Sequence, residues 1–399
     1  MTAALSDKDL RELVDRLLFE QGRLDPLEFL LAADLLAYED YESWRLGRHE
    51  DLQAALRLGV AETVECLTRA GAYARRQKLE ATGLEYRAWG GGERILSFGP
   101  EASLKRVCTQ GWVPAADRRQ LDLFQDSGEL LLEDAIRLAL AERRGDAARE
   151  QVAQLMRANP RHPRLGGFLR LIQCIDAGDG QVDGNARERS AELEAIDPVA
   201  RDLLGHRARD VLAVLWSDLA QQLAGEPFDP TRPQRHASHA WARAGRWDAV
   251  RDSVERLADW RERPALVRLH AESAWHRRDP VTARRDWIWL CWEHPLYAER
   301  AFVSTDFPDP WLASLWRAFG DLDPPLETED FPAWLLLHDP TESAQVPADD
   351  APSGERGDAY RLLRRLVGGE DDIRLRRQLD ELDPRLLRLF LSRGRNARQ

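Results

Sequence analysis

A six-residue pattern that recurs after 34 residues is the feature that most constrains the fold of this chain. The pattern H-A-x-x-A-W occupies residues 236–241 and again residues 270–275, and the same register relates Ala249 to Ala283. A period of this length fits one supersecondary unit that buries its apolar face only by stacking on its neighbours. The sequence therefore predicts an array of helix pairs.

A second periodic signature is an alanine followed twelve residues later by a proline. Twelve residues make about three helical turns, so the small alanine would let the second helix of a pair approach its partner. Proline cannot continue a helix, and it is predicted to end the second helix of each pair. The signature occurs at Ala148 and Pro160, at Ala186 and Pro198, and at Ala283 and Pro295.

A 34-residue period with these positions resembles the tetratricopeptide repeat. The resemblance covers about residues 131–300, and the best unit carries Ala271, Ala283, Trp287 and Pro295 where that family places such residues. The tryptophan usual near the start of the first helix is missing, and an alanine replaces the usual glycine at its middle. The resemblance implies an α/α solenoid with a groove that binds other proteins.

The whole chain is predicted to be mainly α-helical. Ser6 and Asp9 form a start like a capping box for a first helix, and an apolar run over residues 27–44 predicts a second. Two β-prone runs separated by glycines at 90–92 predict a small hairpin. The predicted segments are an N-terminal helical block at 1–83, a connector with the hairpin at 84–130, a solenoid at 131–320, a Pro-rich linker at 321–357 and a helical cap at 358–399.

Tryptophan is concentrated in the repeat-like part, where nine of the chain's 14 fall between residues 241 and 316. A large ring on a helix face buries much apolar area, so most of these rings are expected to fill the space between helices. The alternative is that a few line a groove and anchor a partner. The residues chosen as candidates for such a groove are His236, Trp241, His270 and Trp275.

The string QLDLF at residues 120–124 is the most specific short motif in the chain. It resembles the peptide by which many bacterial DNA polymerases and repair factors dock on the sliding clamp. The resemblance implies that Gln120 forms hydrogen bonds at the pocket rim, while Leu121, Leu123 and Phe124 enter an apolar cleft. The alternative is that Leu121 and Phe124 are an i, i+3 pair with which the connector packs on the first solenoid helix.

No sequence feature declares a catalytic reaction. The histidines near 236 and 270 occupy equivalent repeat positions, which favours a structural role over a zinc site, and neither a metal nor a cofactor is predicted. The protein is expected to be a binding scaffold rather than an enzyme. The alternative is an enzyme or ligand-binding protein with a site in the tryptophan-rich region, residues 236–316.

Charge narrows the classes of partner. Acidic residues outnumber basic ones by 69 to 57, which argues against wholesale binding to nucleic acid. The last 42 residues are the exception, because they hold 11 arginines against seven acids and could contact an anion.

Three lysines beside 54 arginines are typical of a high-GC bacterial genome. Neither a signal peptide nor an apolar run of membrane-spanning length is seen, so a cytoplasmic protein that binds another protein is expected.

Overall fold

The computed structural model describes residues 5–90, 94–114, 127–179, 186–304, 307–338, 351–370 and 372–396. The chain forms two compact units. The first unit comprises Met1–Gln222 with Arg243–Gly245, and the second comprises Leu223–Ala242 with Arg246–Gln399. The mainly α fold and a small antiparallel hairpin, both predicted from the sequence, are confirmed.

Helices of the first unit pack on their neighbours along the chain. From α6 onward each helix contacts the next, which is compatible with a helical-repeat solenoid, and α6 also contacts α9 and α10. The helices are α1 (Asp7–Gln21), α2 (Pro26–Ala32), α3 (Tyr38–Arg45), α4 (Val60–Arg76), α5 (Ala102–Cys108), α6 (Ser127–Ala141), α7 (Gly145–Ala158), α8 (Leu165–Asp179), α9 (Ala186–Leu204) and α10 (Ala208–Gln222).

Local signals account for the start and end of α1. The Ser6 hydroxyl accepts a hydrogen bond from the backbone N–H of Asp9 at 3.2 Å, as the sequence predicts. Gly22 ends the helix in the left-handed conformation, at φ 68°. The buried face of α1 then joins an apolar core that extends to Trp112.

The single helix predicted over residues 27–44 is wrong, because the chain breaks it into α2 and α3. Asp34 has a left-handed φ of 55°, and the backbone N–H of Leu35 turns back to the carbonyl of Leu30. Leu35 and Leu36 are both buried, so the break places two more leucines in the core. Apolar periodicity alone does not detect a turn whose residues are themselves apolar.

The two-stranded sheet pairs β1 (Leu79–Gly83) with β2 (Gln110–Pro114) in antiparallel register, with Ala81 opposite Trp112. These strands flank the run in which the hairpin is predicted. Inside that run, Arg87 and Ile95 form an isolated antiparallel bridge. The sequence thus identifies the region of β structure. The longer strand pairing, however, lies outside the predicted hairpin, at residues 79–83 and 110–114.

Helices of the second unit also stack in chain order. They are α11 (Ala237–Arg243), α12 (Trp247–Glu255), α13 (Pro264–His276), α14 (Pro280–Glu293), α15 (Pro295–Phe302), α16 (Pro310–Gly320), α17 (Phe331–His338), α18 (Glu355–Val367), α19 (Ile373–Leu382) and α20 (Pro384–Asn396). Helices α12 to α15 each contact the next, and the second copy of H-A-x-x-A-W lies at the end of α13.

Two of the three prolines expected to end a helix do so. Helix α7 ends just before Pro160, and Pro295 opens α15 directly after α14. The expectation is wrong at Pro198, which lies inside α9. The packing of α9 against both α8 and α10 outweighs the loss of one backbone hydrogen bond at that proline.

Tryptophans of the repeat-like part pack between helices. Trp287 and Trp292 are buried in the main core of the second unit, and Trp289 is partly buried against the same core. The Trp289 indole N–H donates to the carbonyl of Arg261 at 3.2 Å, on the short 3-10 helix that precedes α13. One helix thus presents its three tryptophans to different neighbours, as their spacing requires.

Candidate functional site

Within the second unit, an open cleft lies between α13 and α15, the first helices of successive pairs. Its volume is about 300 Å³. Trp287 and Phe307 form its apolar part, with ring centroids 4.8 Å apart and edge-to-face geometry. The polar residues that line it are Arg268 and Glu272 on α13 and Tyr297, Arg300 and Ser304 on or just after α15.

The two arginines of the cleft differ in their partners. Arg268 donates from Nε to Glu272 at 2.8 Å, one helical turn away, so its charge is already matched. Burial raises the pKa of Glu272, although Arg268 acts against this. Arg300 is exposed and forms no ion pair with any residue the structure describes. Within the described part of the chain, the cleft therefore offers the positive charge of Arg300 without an ion-pair partner, beside an aromatic wall.

Exposed apolar side chains flank that charge. Leu296 is 69% exposed and Val303 is 73% exposed, and both lie on α15 or at its end. Their positions, four before and three after Arg300, place all three residues on one helix face. Exposed apolar side chains that lie together on one surface mark a contact site for a partner more often than singly scattered ones do.

The four groove residues chosen from the sequence lie in the second unit, and none of them lines this cleft. His236 and Trp241 pack at a small apolar cluster around Phe228 and Val250. Trp275 is partly buried against the main core. No sequence motif predicted Arg268, Tyr297 or Arg300. The signal that the sequence does contain is the spacing of charged and aromatic residues on the first helices.

His270 lies at the centre of a buried polar contact. Its Nδ1 is 2.5 Å from a carboxylate oxygen of Asp286, and its Nε2 is 3.2 Å from one of Glu255. The ring of Trp260 covers the imidazole, with centroids 4.4 Å apart. Burial lowers the pKa of His270, but the hydrogen bonds and charges of the two carboxylates outweigh burial and raise it. Because both ring nitrogens face carboxylates, this histidine is suited to hold a proton and join three helices.

A second buried polar cluster, in the first unit, joins α2 and α3 to α10. Arg209 donates from one nitrogen to both carboxylate oxygens of Glu28, at 2.9 and 2.8 Å. The Tyr38 hydroxyl donates to Asp210 at 3.1 Å, and burial raises the pKa of that aspartate. The opposite charges in this cluster satisfy one another, which is typical of a structural joint.

Arg143, just after α6, extends this cluster. Its guanidinium pairs with Glu42, donates to the backbone carbonyl of Asp210 at 2.8 Å and lies 4.3 Å from the ring centroid of Trp89. Glu42 is almost fully buried. Removing a carboxylate from water is costly, so the buried charge of Glu42 needs a counter-charge such as Arg143.

Basic residues near the C-terminus are matched in part by acids of the same unit. Arg385 contacts Asp330 at 3.2 Å, and Arg361 contacts Asp358 at 2.7 Å. These pairs reduce the positive charge left for an anionic partner.

All four cysteines of the chain lie in the described ranges, and burial governs their chemistry. Cys66, Cys108, Cys174 and Cys291 are all buried and unpaired, and burial raises the pKa of Cys108 to about 12. A thiol with so high a pKa is a poor nucleophile. The described part of the chain contains no group of three or more histidine, cysteine or acidic side chains that could hold a metal ion.

The predicted clamp-binding residues Gln120, Leu121, Leu123 and Phe124 lie outside the described residues.

Among the described helices, none is long and apolar enough to cross a lipid bilayer. No protein-family model matches the chain, and no curated protein or solved structure is similar to it.

Proposed function

We propose that the protein is an interaction scaffold of the helical-repeat type, and that the cleft between α13 and α15 receives an acidic, apolar segment of a partner protein. The observation that carries the proposal is the uncommitted Arg300 between exposed Leu296 and Val303, next to the aromatic wall of the cleft. Helical-repeat arrays use the extended concave surface of their stacked units to bind partners.

The chemistry of the cleft selects the partner. A glutamate or aspartate would pair with Arg300, and a bulky apolar residue one turn away would contact Leu296 or Val303. An interface is stabilised mainly by a few aromatic and arginine anchors, while charges at its rim steer association. A basic segment would be disfavoured, because Glu272, the acid found among the described residues that line the cleft, is already paired with Arg268.

Reversal of the charge at Arg300 is expected to abolish this binding. A library of random twelve-residue peptides displayed on phage and selected on the full-length protein should enrich sequences that combine an acid with a bulky apolar residue. The same peptides, synthesised with a fluorophore and titrated by anisotropy, should bind Arg300→Glu at least about tenfold more weakly, because a rim attraction becomes a repulsion.

The matched control is Arg317→Glu, which changes the same charge on the exposed side of α16, away from the cleft. That variant should bind the selected peptides as the wild type does. Equal affinity of wild type and Arg300→Glu would show that the peptides bind elsewhere. Selection of basic peptides, or of none, would contradict the proposal as well.

A further proposal rests on the sequence alone: QLDLF recruits the scaffold to the bacterial sliding clamp in replication or repair. Its support is the letter-for-letter match at residues 120–124. A pull-down with purified clamp should retain the wild type, whereas the double variant Gln120→Ala, Phe124→Ala should be lost from the resin. Retention of the double variant would reject recruitment by this motif.

The alternative to a scaffold, an enzyme or ligand-binding protein with its site in residues 236–316, predicts a different result. A small molecule that co-purifies with the protein and contacts the cleft would favour it. In that case Arg300→Glu would release the small molecule, and the peptide selection would enrich no acidic motif.

A further inference from the structure

A cavity in the first unit lies apart from the cleft and has its own chemistry. It has a volume of about 300 Å³ and opens between α4, α5, β2 and the residues that lead into α2. Its walls combine apolar and cationic side chains. The residues that matter here are Phe29, Leu67, Gly71, Arg75, Arg106 and Trp112.

The floor of this cavity is apolar and firmly held. Phe29 is fully buried and Trp112 is 7% exposed. The backbone of Trp112 exchanges two hydrogen bonds with Leu24, at 2.8 and 2.9 Å, which fixes the indole in place. A β-carbon at Gly71 would lie 3.0 Å from that ring, so glycine lets the indole approach α4 closely.

The rim of the cavity is cationic. Arg75 lies on α4 with its guanidinium carbon 5.5 Å from the centroid of the Trp112 ring, and Arg106 lies on α5. Neither arginine forms an ion pair with a residue in the described ranges, and no acid is found among the residues that line the cavity. Two uncommitted positive charges over an apolar floor are unexpected in a chain with a net charge of −12.

We propose that this cavity binds a small organic carboxylate with an aromatic or branched apolar body. Arginine presents paired N–H groups that match a carboxylate, and the partly accessible indole of Trp112 offers a surface for the apolar body. A volume of 300 Å³ is equivalent to about ten water molecules, which suits a compact ligand rather than a folded partner. The carboxylate of the ligand would contact the cationic rim, and its apolar body would contact the floor.

The experiment uses the full-length protein with 3-phenylpropionate as the probe. Its neutral analogue, 3-phenylpropionamide, has nearly the same shape without the charge, and acetate has the charge without the ring. Saturation-transfer NMR and calorimetric titration should show 3-phenylpropionate binding at least about tenfold more tightly than either analogue, because only it engages both rim and floor.

The double variant Arg75→Ala, Arg106→Ala should weaken the binding of 3-phenylpropionate by about tenfold or more. Both arginines are exposed, so the variant should keep the wild-type circular dichroism and melting temperature. The matched control is Arg76→Ala, an exposed arginine next to Arg75 that does not line the cavity. It should leave the affinity unchanged.

Three results would overturn the proposal. Equal affinity for the acid and the amide would show an apolar pocket without anion selectivity. Full affinity in the Arg75→Ala, Arg106→Ala variant would place the bound probe elsewhere. The absence of saturable binding of 3-phenylpropionate at millimolar concentration would show that the cavity takes no ligand of this class.

Discussion

Replacement of Arg143 by alanine is expected to lower the free energy of unfolding of the first unit by about 3–5 kcal/mol, the loss typical of a broken buried ion pair. Three contacts disappear together: the ion pair with Glu42, the hydrogen bond to the Asp210 carbonyl and the stacking on Trp89. Glu42 would remain buried but would lose the positive charge of Arg143. Urea denaturation, with hydrogen exchange to assign the loss to the first unit, measures the effect.

Two further variants separate charge from packing. Arg157→Ala removes an exposed arginine on α7 and should change the free energy of unfolding by less than about 0.5 kcal/mol. The double variant Arg143→Ala, Glu42→Gln should recover part of the loss, because the buried carboxylate is neutralised. If the double variant is no more stable than Arg143→Ala, the cost does not arise from the loss of the Arg143 charge beside Glu42.

Replacement of His270 by alanine is expected to destabilise the second unit by about 2–4 kcal/mol at pH 6, because the buried Asp286 loses its charged partner. The effect should depend on pH. The folded protein holds the pKa of His270 above its usual value, so folding favours the protonated ring. This stabilisation is complete below the unfolded pKa of about 6.5 and is lost as the pH rises through the folded pKa.

The wild type should therefore lose stability in the second unit as the pH rises above about 6.5, the range in which an unfolded histidine titrates. His270→Gln is the informative control, because it can still donate a hydrogen bond to Asp286 but does not titrate. Thermal melts between pH 6 and pH 9 should show a flatter dependence in the glutamine variant. An identical slope in both proteins would show that another group carries the pH dependence.

Local patterns predicted the helices most accurately where the signal was also local. Ser6 caps α1 as expected, since a capping hydroxyl acts on a backbone N–H only three residues away. The helix pair at α13 and α14 follows from its alanine and proline positions for the same reason. Where the expectation failed, at Asp34 and at Pro198, burial and helix packing outweighed the local preference.

Sites were much harder to infer than helices. The sequence marks His236 and His270 as equivalent, yet the first lies beside Ser238 before α11 and the second between two carboxylates within α13. Residues at equivalent repeat positions therefore have different environments. No sequence pattern distinguishes Arg300 from the other 53 arginines, because its role depends on which residues are its neighbours in space.

By itself the sequence determined that the chain is mainly α-helical, with successive helices packed on one another, and that it contains a small antiparallel hairpin. These properties depend on side-chain periodicity and on residues close in the chain. Only the tertiary structure decided which arginines keep an uncommitted charge, since Arg75, Arg106 and Arg300 differ from Arg143 and Arg209 in contacts made with distant residues. The physical reason is that burial and pairing depend on distances in space, which a linear pattern does not specify.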